Sequence, residues 1–182
     1  MLANTDIIAA ARQTNPEDLQ SHVKMFVTKL IDEFILKLRI YVIDRLTACA
    51  GQEFVQHTQA LLPNKRLSAN PEEWDLGTLV QIFHANADAV FKHDFGGEVR
   101  LVIPVLMQIK DMRNRRVHNV SRQLPILARE AYQIADQTCR FFDLMTVEVP
   151  VSITGTFRAL RREALQLLYV EELHAEHQES LT

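Results

Sequence analysis

The chain holds little of what staples or interrupts a protein: two cysteines, five glycines and six prolines among 182 residues. Cys49 and Cys139 form no close pair. Each stands inside an apolar helical pattern, so they read as reduced, buried thiols of an intracellular protein, and neither suits a nucleophile. The glycines build no phosphate-cradling loop, and no zinc spacing or serine triad is present. Glu163 and Glu171-Glu172 show no paired-carboxylate logic. No apolar run reaches 18 residues, and Met1-Leu2-Ala3-Asn4-Thr5-Asp6 lacks a basic leader start, so a soluble, cytoplasmic chain is expected, with no membrane partner. Strand signals are almost missing too. Only Thr146 to Gly155 alternates, and Pro150 with no second strand to pair makes it an extended connector.

What the chain does have is helix. Nearly half of it is hydrophobic, 47%, enough for one domain with a single core. Asn15-Pro16-Glu17-Asp18 is a helix start, with a cap, a proline in the first turn and acids at the positive end. Val23, Phe26, Val27, Leu30, Ile31, Phe34, Ile35, Leu38, Val42 and Leu46 then recur at steps of three and four, predicting a long helix to about Ala48. Gly51 ends it. A short helix follows over Glu53 to Leu62, then a loop through Pro63 and Ala69. Asn70-Pro71-Glu72-Glu73 repeats the start signal before a helix from Trp74 to Phe91. Gly96-Gly97 stops that element, and Glu98 to Val117 resumes with Val102, Val105, Leu106 and Ile109 inward, kinked or opened by Pro104. Leu124 to Met145 is the next helix, with Leu127, Ala131, Ile134, Ala135, Thr138, Phe141 and Phe142 inward. Thr156 caps a last one running towards Gln178. The expectation is an all-α bundle of five to six helices: a leader over 1–16, the bundle over 17–145, the connector over 146–155 and a C-terminal helix over 156–182 on or beside the bundle. No internal repeat or low-complexity segment occurs.

The net charge of −3 excludes a surface that clings everywhere to nucleic acid. Its distribution is uneven. Lys110, Arg113, Arg115, Arg116 and Arg122 face a single acid, Asp111, whereas Glu171, Glu172, Glu176 and Glu179 crowd the C-terminus. The cations surround Arg113-Asn114-Arg115-Arg116-Val117-His118, an arginine and a histidine with four residues between them. With seven histidines, such a spacing arises by chance roughly once or twice. Helical register adds to it: Arg113, Asn114 and His118 fall in the same half of the helix as Ile103, Leu106 and Val117, while Arg115 and Arg116 point away. Three polar groups continuing an apolar stripe need partners, which a second subunit or a polar ligand would supply.

Arg-Asn followed after three positions by His, at the end of one bundle helix and before the next, resembles the signature of HEPN domains. The resemblance covers about Leu19 to Met145. The long first helix, the helix start at Trp74-Asp75-Leu76, the helix ending near Val90-Phe91 and then the motif helix look like one branch. It includes domains at the N-terminus of large bacterial ATPases and part of a yeast nuclear RNA-surveillance endonuclease. Arg158, Arg161 and Arg162 before Leu165 and Leu168 resemble the helix that follows in the bacterial members. That branch usually has Trp-Ala where Arg116-Val117 stand. The resemblance implies a homodimeric endoribonuclease needing no metal and no cofactor, in which the ribose 2′-hydroxyl attacks the adjacent phosphate to leave a 2′,3′-cyclic phosphate. His118 would move the proton, Arg113 would stabilise the phosphorane-like transition state and Asn114 would orient histidine or phosphate. Two motifs would face each other across the dimer, and Lys110, Arg115, Arg116 and Arg122 would hold the RNA backbone. Phage defence, toxin–antitoxin or RNA processing are the settings implied, with a neutralising or ATPase partner.

A blander account of the same residues is that cations in a last turn complement the helix dipole. A second class of function therefore stays open: a non-catalytic dimerisation or docking module, or the N-terminal part of a larger ATPase. His84 and His93, with Asp88 and Asp94 nearby, are nine apart and read as solvated surface rather than a metal site. His174 and His177 read as part of an acidic, fraying end.

Overall fold

A computed structural model describes residues 15–119 and 127–179, with the side chains of 16, 116–119 and 177–179 outside that description. Six α-helices carry the described residues: α1 Pro16–Ala50, α2 Phe54–Leu61, α3 Leu76–Ala85, α4 Val99–Asn119, α5 Ala128–Asp143 and α6 Val151–Glu179. No strand occurs among the described residues. The fold is an all-α bundle, as the periodicity predicts.

Helix α1 is its spine. Asn15 caps it by accepting the Glu17 N–H at 3.2 Å, and thirty-five residues at 1.5 Å each make a rod about 50 Å long. Leu19, Val23, Phe26, Leu30, Phe34, Leu38, Val42 and Leu46 are all buried, and the rod packs against α2, α3, α5 and α6. Gly51, at φ 62°, turns the chain out. The expected burial of Cys49 is not found: it is exposed, because the buried row ends at Leu46, one turn earlier.

After α2, the side chain of Gln59 shapes the following loop. Its Nε2 donates to the Leu62 and Lys65 carbonyls at 3.1 and 2.6 Å, and its Oε1 accepts the Leu67 N–H at 2.8 Å. The loop then delivers Trp74, fully buried, whose indole N–H donates to the Ser68 carbonyl at 3.1 Å.

The single helix expected from Trp74 to Phe91 starts at Leu76 and is two pieces, followed by a further turn. Helix α3 stops at Ala85, a π-turn covers Ala87–Phe91 and a 3-10 turn covers Lys92–Phe95. Asn86 stands at the break. It is fully buried, and its Nδ2 donates at 2.9 Å to the Ile82 carbonyl, which also accepts the Asn86 N–H at 3.1 Å. The widened turn brings Phe91 onto Phe83, centroids 4.3 Å apart and planes 6° from parallel.

The chain reverses at Gly96 and Gly97, with φ of 57° and 89°. Gly96 is required twice over, since a Cβ there would lie 2.9 Å from the Thr146 methyl and its φ favours glycine. Helix α4 packs on α3 and α5. Pro104 lies inside it rather than opening it, on the exposed side, where the lost ladder bond faces water.

Helix α5 starts later than expected and leaves Leu127 exposed rather than inward. Helix α6 starts earlier than Thr156: the Pro150 carbonyl accepts the N–H groups of Ile153 and Thr154 at 2.8 and 3.3 Å. The predicted connector over 146–155 therefore shrinks to 146–150. Proline with its φ preset for a helical first turn outweighs the β-branched alternation. Helix α6 packs along α5 and α1, burying Phe157, Leu160 and Ala164. Phe34 sits at the centre, edge-on to Phe141, Phe142 and Phe157 at centroid distances of 5.5, 6.1 and 6.1 Å.

Candidate functional site

The site grows out of the inner face of α4. Val102, Leu106 and Ile109 are fully buried, and Arg113, one turn beyond Ile109, continues their row as a half-buried residue. Arg113 Nη1 donates to Asn114 Oδ1 at 3.3 Å, and Asn114 is itself half-buried. Arg115 is exposed, as the register predicts. Lys110 has local partners, with its Nζ 3.8 Å from Asp111 Oδ1 and 3.5 Å from Met107 Sδ. The helical backbone runs on through Asn119, while the side chains of Arg116 and His118 lie outside the described residues, as does all of Arg122. The structure thus brings together Arg113 and Asn114 of the expected trio.

Helix α4 packs on α3, whose first turn begins beside Asp75. Asp75 caps it, its Oδ1 accepting the Thr78 N–H at 2.7 Å. Partial burial pushes the Asp75 carboxyl up, but the hydrogen bonds from Thr78 and the charges of Lys65 and Arg113 outweigh it, so its pKa lies below the ordinary 3.8. Arg39, reaching over from α1, donates through Nε and Nη2 to the Trp74 carbonyl at 3.2 and 3.0 Å. Arg39 is the cation whose hydrogen bonds reach this turn; Lys65 and Arg113 act on the Asp75 carboxyl through charge alone.

No family model, curated protein or solved structure matches this chain. Its site must be read from its own chemistry.

Among the described residues, no group of three histidines, cysteines or acids is placed to hold a metal. His84 and His93 are exposed, and the carboxylate nearest His93, that of Asp94, is already engaged. Asp94, expected on the same solvated surface as the two histidines, is instead fully buried. It takes a bidentate pair from Arg45 Nε and Nη2 and accepts the Tyr41 hydroxyl at 2.7 Å. Burial pushes the Tyr41 phenol well above its usual range, against the pull of Arg45. The available signal was an acid between Phe91 and Phe95, with Tyr41 and Arg45 one turn apart on α1. Cys139 is buried as expected, and burial pushes its thiol up to about 11, leaving too little thiolate for a nucleophile. No helix among the described residues is long and apolar enough to cross a membrane.

Proposed function

We propose that the chain is an endoribonuclease of the HEPN type, acting without metal as a homodimer. The observation that carries this reading is the half-buried, mutually hydrogen-bonded Arg113 and Asn114 at the end of a basic helix, five and four residues before His118. The ribose 2′-oxygen forms a bond to phosphorus as the bond to the 5′-oxygen breaks, giving a 2′,3′-cyclic phosphate and a free 5′-hydroxyl. His118 accepts or returns the proton, and its intrinsic pKa class suits that exchange near neutral pH. Arg113 supplies permanent charge to the pentavalent phosphorus, and Asn114, already bonded to it, orients the guanidinium or a phosphate oxygen. Arg115, Arg116, Lys110 and Arg122 contact the backbone without reading bases.

Leu101 and Met107 are exposed on the same helix, with Pro104 between them. Such a surface fits the second copy that a composite site needs. It fits equally the other reading, a docking module without catalysis. Incubation with single-stranded RNA in EDTA separates the two. The nuclease reading expects cleavage to 2′,3′-cyclic ends, and its loss in His118→Ala with an unchanged circular dichroism spectrum. Cleavage that survives the substitution, or no cleavage by the native chain, removes it. The docking reading expects no cleavage and a weakened dimer in Arg113→Ala and His118→Ala.

A further inference from the structure

Helix α6 buries only one side in the bundle, through Phe157, Leu160 and Ala164. On another side Arg158, Arg162, Leu165, Tyr169, Glu172 and Glu176 follow one another at steps of four, three, four, three and four residues. All six are exposed. That is the heptad spacing by which one helix lays a seam against another. The seam is basic at its start, acidic at its end and apolar between, where Leu165 and Tyr169 are 52% and 42% exposed.

These charges run against what a lone helix selects. Arg158 and Arg162 are like charges four residues apart, as are Glu172 and Glu176, and each such pair weakens an isolated helix. The acids also stand towards the C-terminal end, where the dipole favours cations. Among the described residues Arg162, Glu172 and Glu176 make no ion pair. Arg158 reaches Asp143 at 3.3 Å, with the two side chains 59% and 50% exposed, a pair that water screens and that can exchange partners.

Turned end for end, the seam complements itself. With a two-fold axis at the level of Leu167, Leu165 of one copy falls opposite Tyr169 of the other, Arg162 opposite Glu172 and Arg158 opposite Glu176, each pair equally many residues from the axis. We propose that this face of α6 is a contact between two copies of the chain, paired antiparallel about Leu167. A second copy is the occupant because this symmetry of charge within one helix is what an isologous interface requires and what an unrelated partner would not. Leu165 and Tyr169 supply the apolar area, and the ion pairs set the register more than the affinity. The contact lies on a different helix from Leu101 and Met107 and does not rest on the ribonuclease reading.

Sedimentation equilibrium of the whole chain at concentrations up to about 100 μM should show reversible association. Arg162→Glu sets like charges against Glu172 at both symmetry-related points, so it should raise the dissociation constant about tenfold with an unchanged circular dichroism spectrum. Glu172→Arg should do the same. The two substitutions together restore opposite signs in reversed order and should return association to near the native strength. If α4 pairs copies as well, the single variants should halve the native assembly rather than leave monomers. With Cys49→Ser removing the exposed thiol, spin labels at Gln166→Cys should lie within about 20 Å of each other and those at Ser152→Cys about 45 Å apart, at 1.5 Å of rise per residue. A native chain that stays monomeric, an assembly indifferent to Arg162→Glu, a double variant no better than the single ones, or short distances at both labelled positions each overturns the proposal. None of these readouts involves RNA, so a chain that cuts none defeats the nuclease reading alone.

Discussion

A buried carboxylate is tolerated only when its charge is answered, and Asp94 shows how completely that is done. Arg45 grips both oxygens, Tyr41 donates to one of them, and the Asp94 carbonyl receives the N–H and hydroxyl of Thr146 at 2.7 and 3.1 Å. Phe91 and Phe95 flank the Tyr41 ring. The arrangement tethers α1, the 3-10 turn after α3 and the end of α5 at one point. Whether the pair adds net stability over an apolar set is a separate matter, since desolvation offsets attraction. Breaking it from one side is costly either way. Arg45→Met should destabilise the chain by about 3 kcal/mol, measured by urea unfolding, and adding Asp94→Asn should recover part of that loss. A single substitution costing under about 1 kcal/mol would mean that water reaches Asp94 readily.

At the scale of elements, the ends of helices carry more information than their middles. Helix α5 begins without a capping side chain of its own; Glu171, forty-three residues further on in α6, accepts the Ala128 N–H through both oxygens at 3.0 and 3.1 Å. Glu171→Leu should therefore cost about 1 kcal/mol, as loss of an N-cap does, and should speed hydrogen exchange at the first turn of α5. Unchanged exchange there would show that the cap is dispensable. This contact also marks the limit of legibility in the chain. The six helices and the stripe of α1 were readable because apolar residues repeat at the period of the helix, and Arg113 and Asn114 fell on the predicted half-buried face by the same arithmetic. Glu171 was read only as one acid among several, because a cap supplied from another helix leaves no local pattern. The break at Asn86 was hidden for a similar reason: the burial of that side chain is set by the packing of other elements. Asp94 required knowing that two residues of α1 meet it from some fifty positions away.

For the molecule as a whole, the core is organised around Phe34, whose ring meets three others from α5 and α6. Phe34→Ala should remove about 3–5 kcal/mol, visible as a lower urea midpoint, whereas Met25→Ala, at a side chain 62% exposed, should leave the midpoint nearly unmoved. A small loss at Phe34 would mean that the neighbouring rings close over the space. The same geometry has a consequence in time. The partners of Phe34 are encoded about a hundred residues after it, so at ribosomal speeds of roughly 5–20 residues per second the spine waits about 5–20 s for them. During that interval a rod with an apolar stripe is out of the ribosome without its cover, and yield in the cell would depend on how well chaperones shield it.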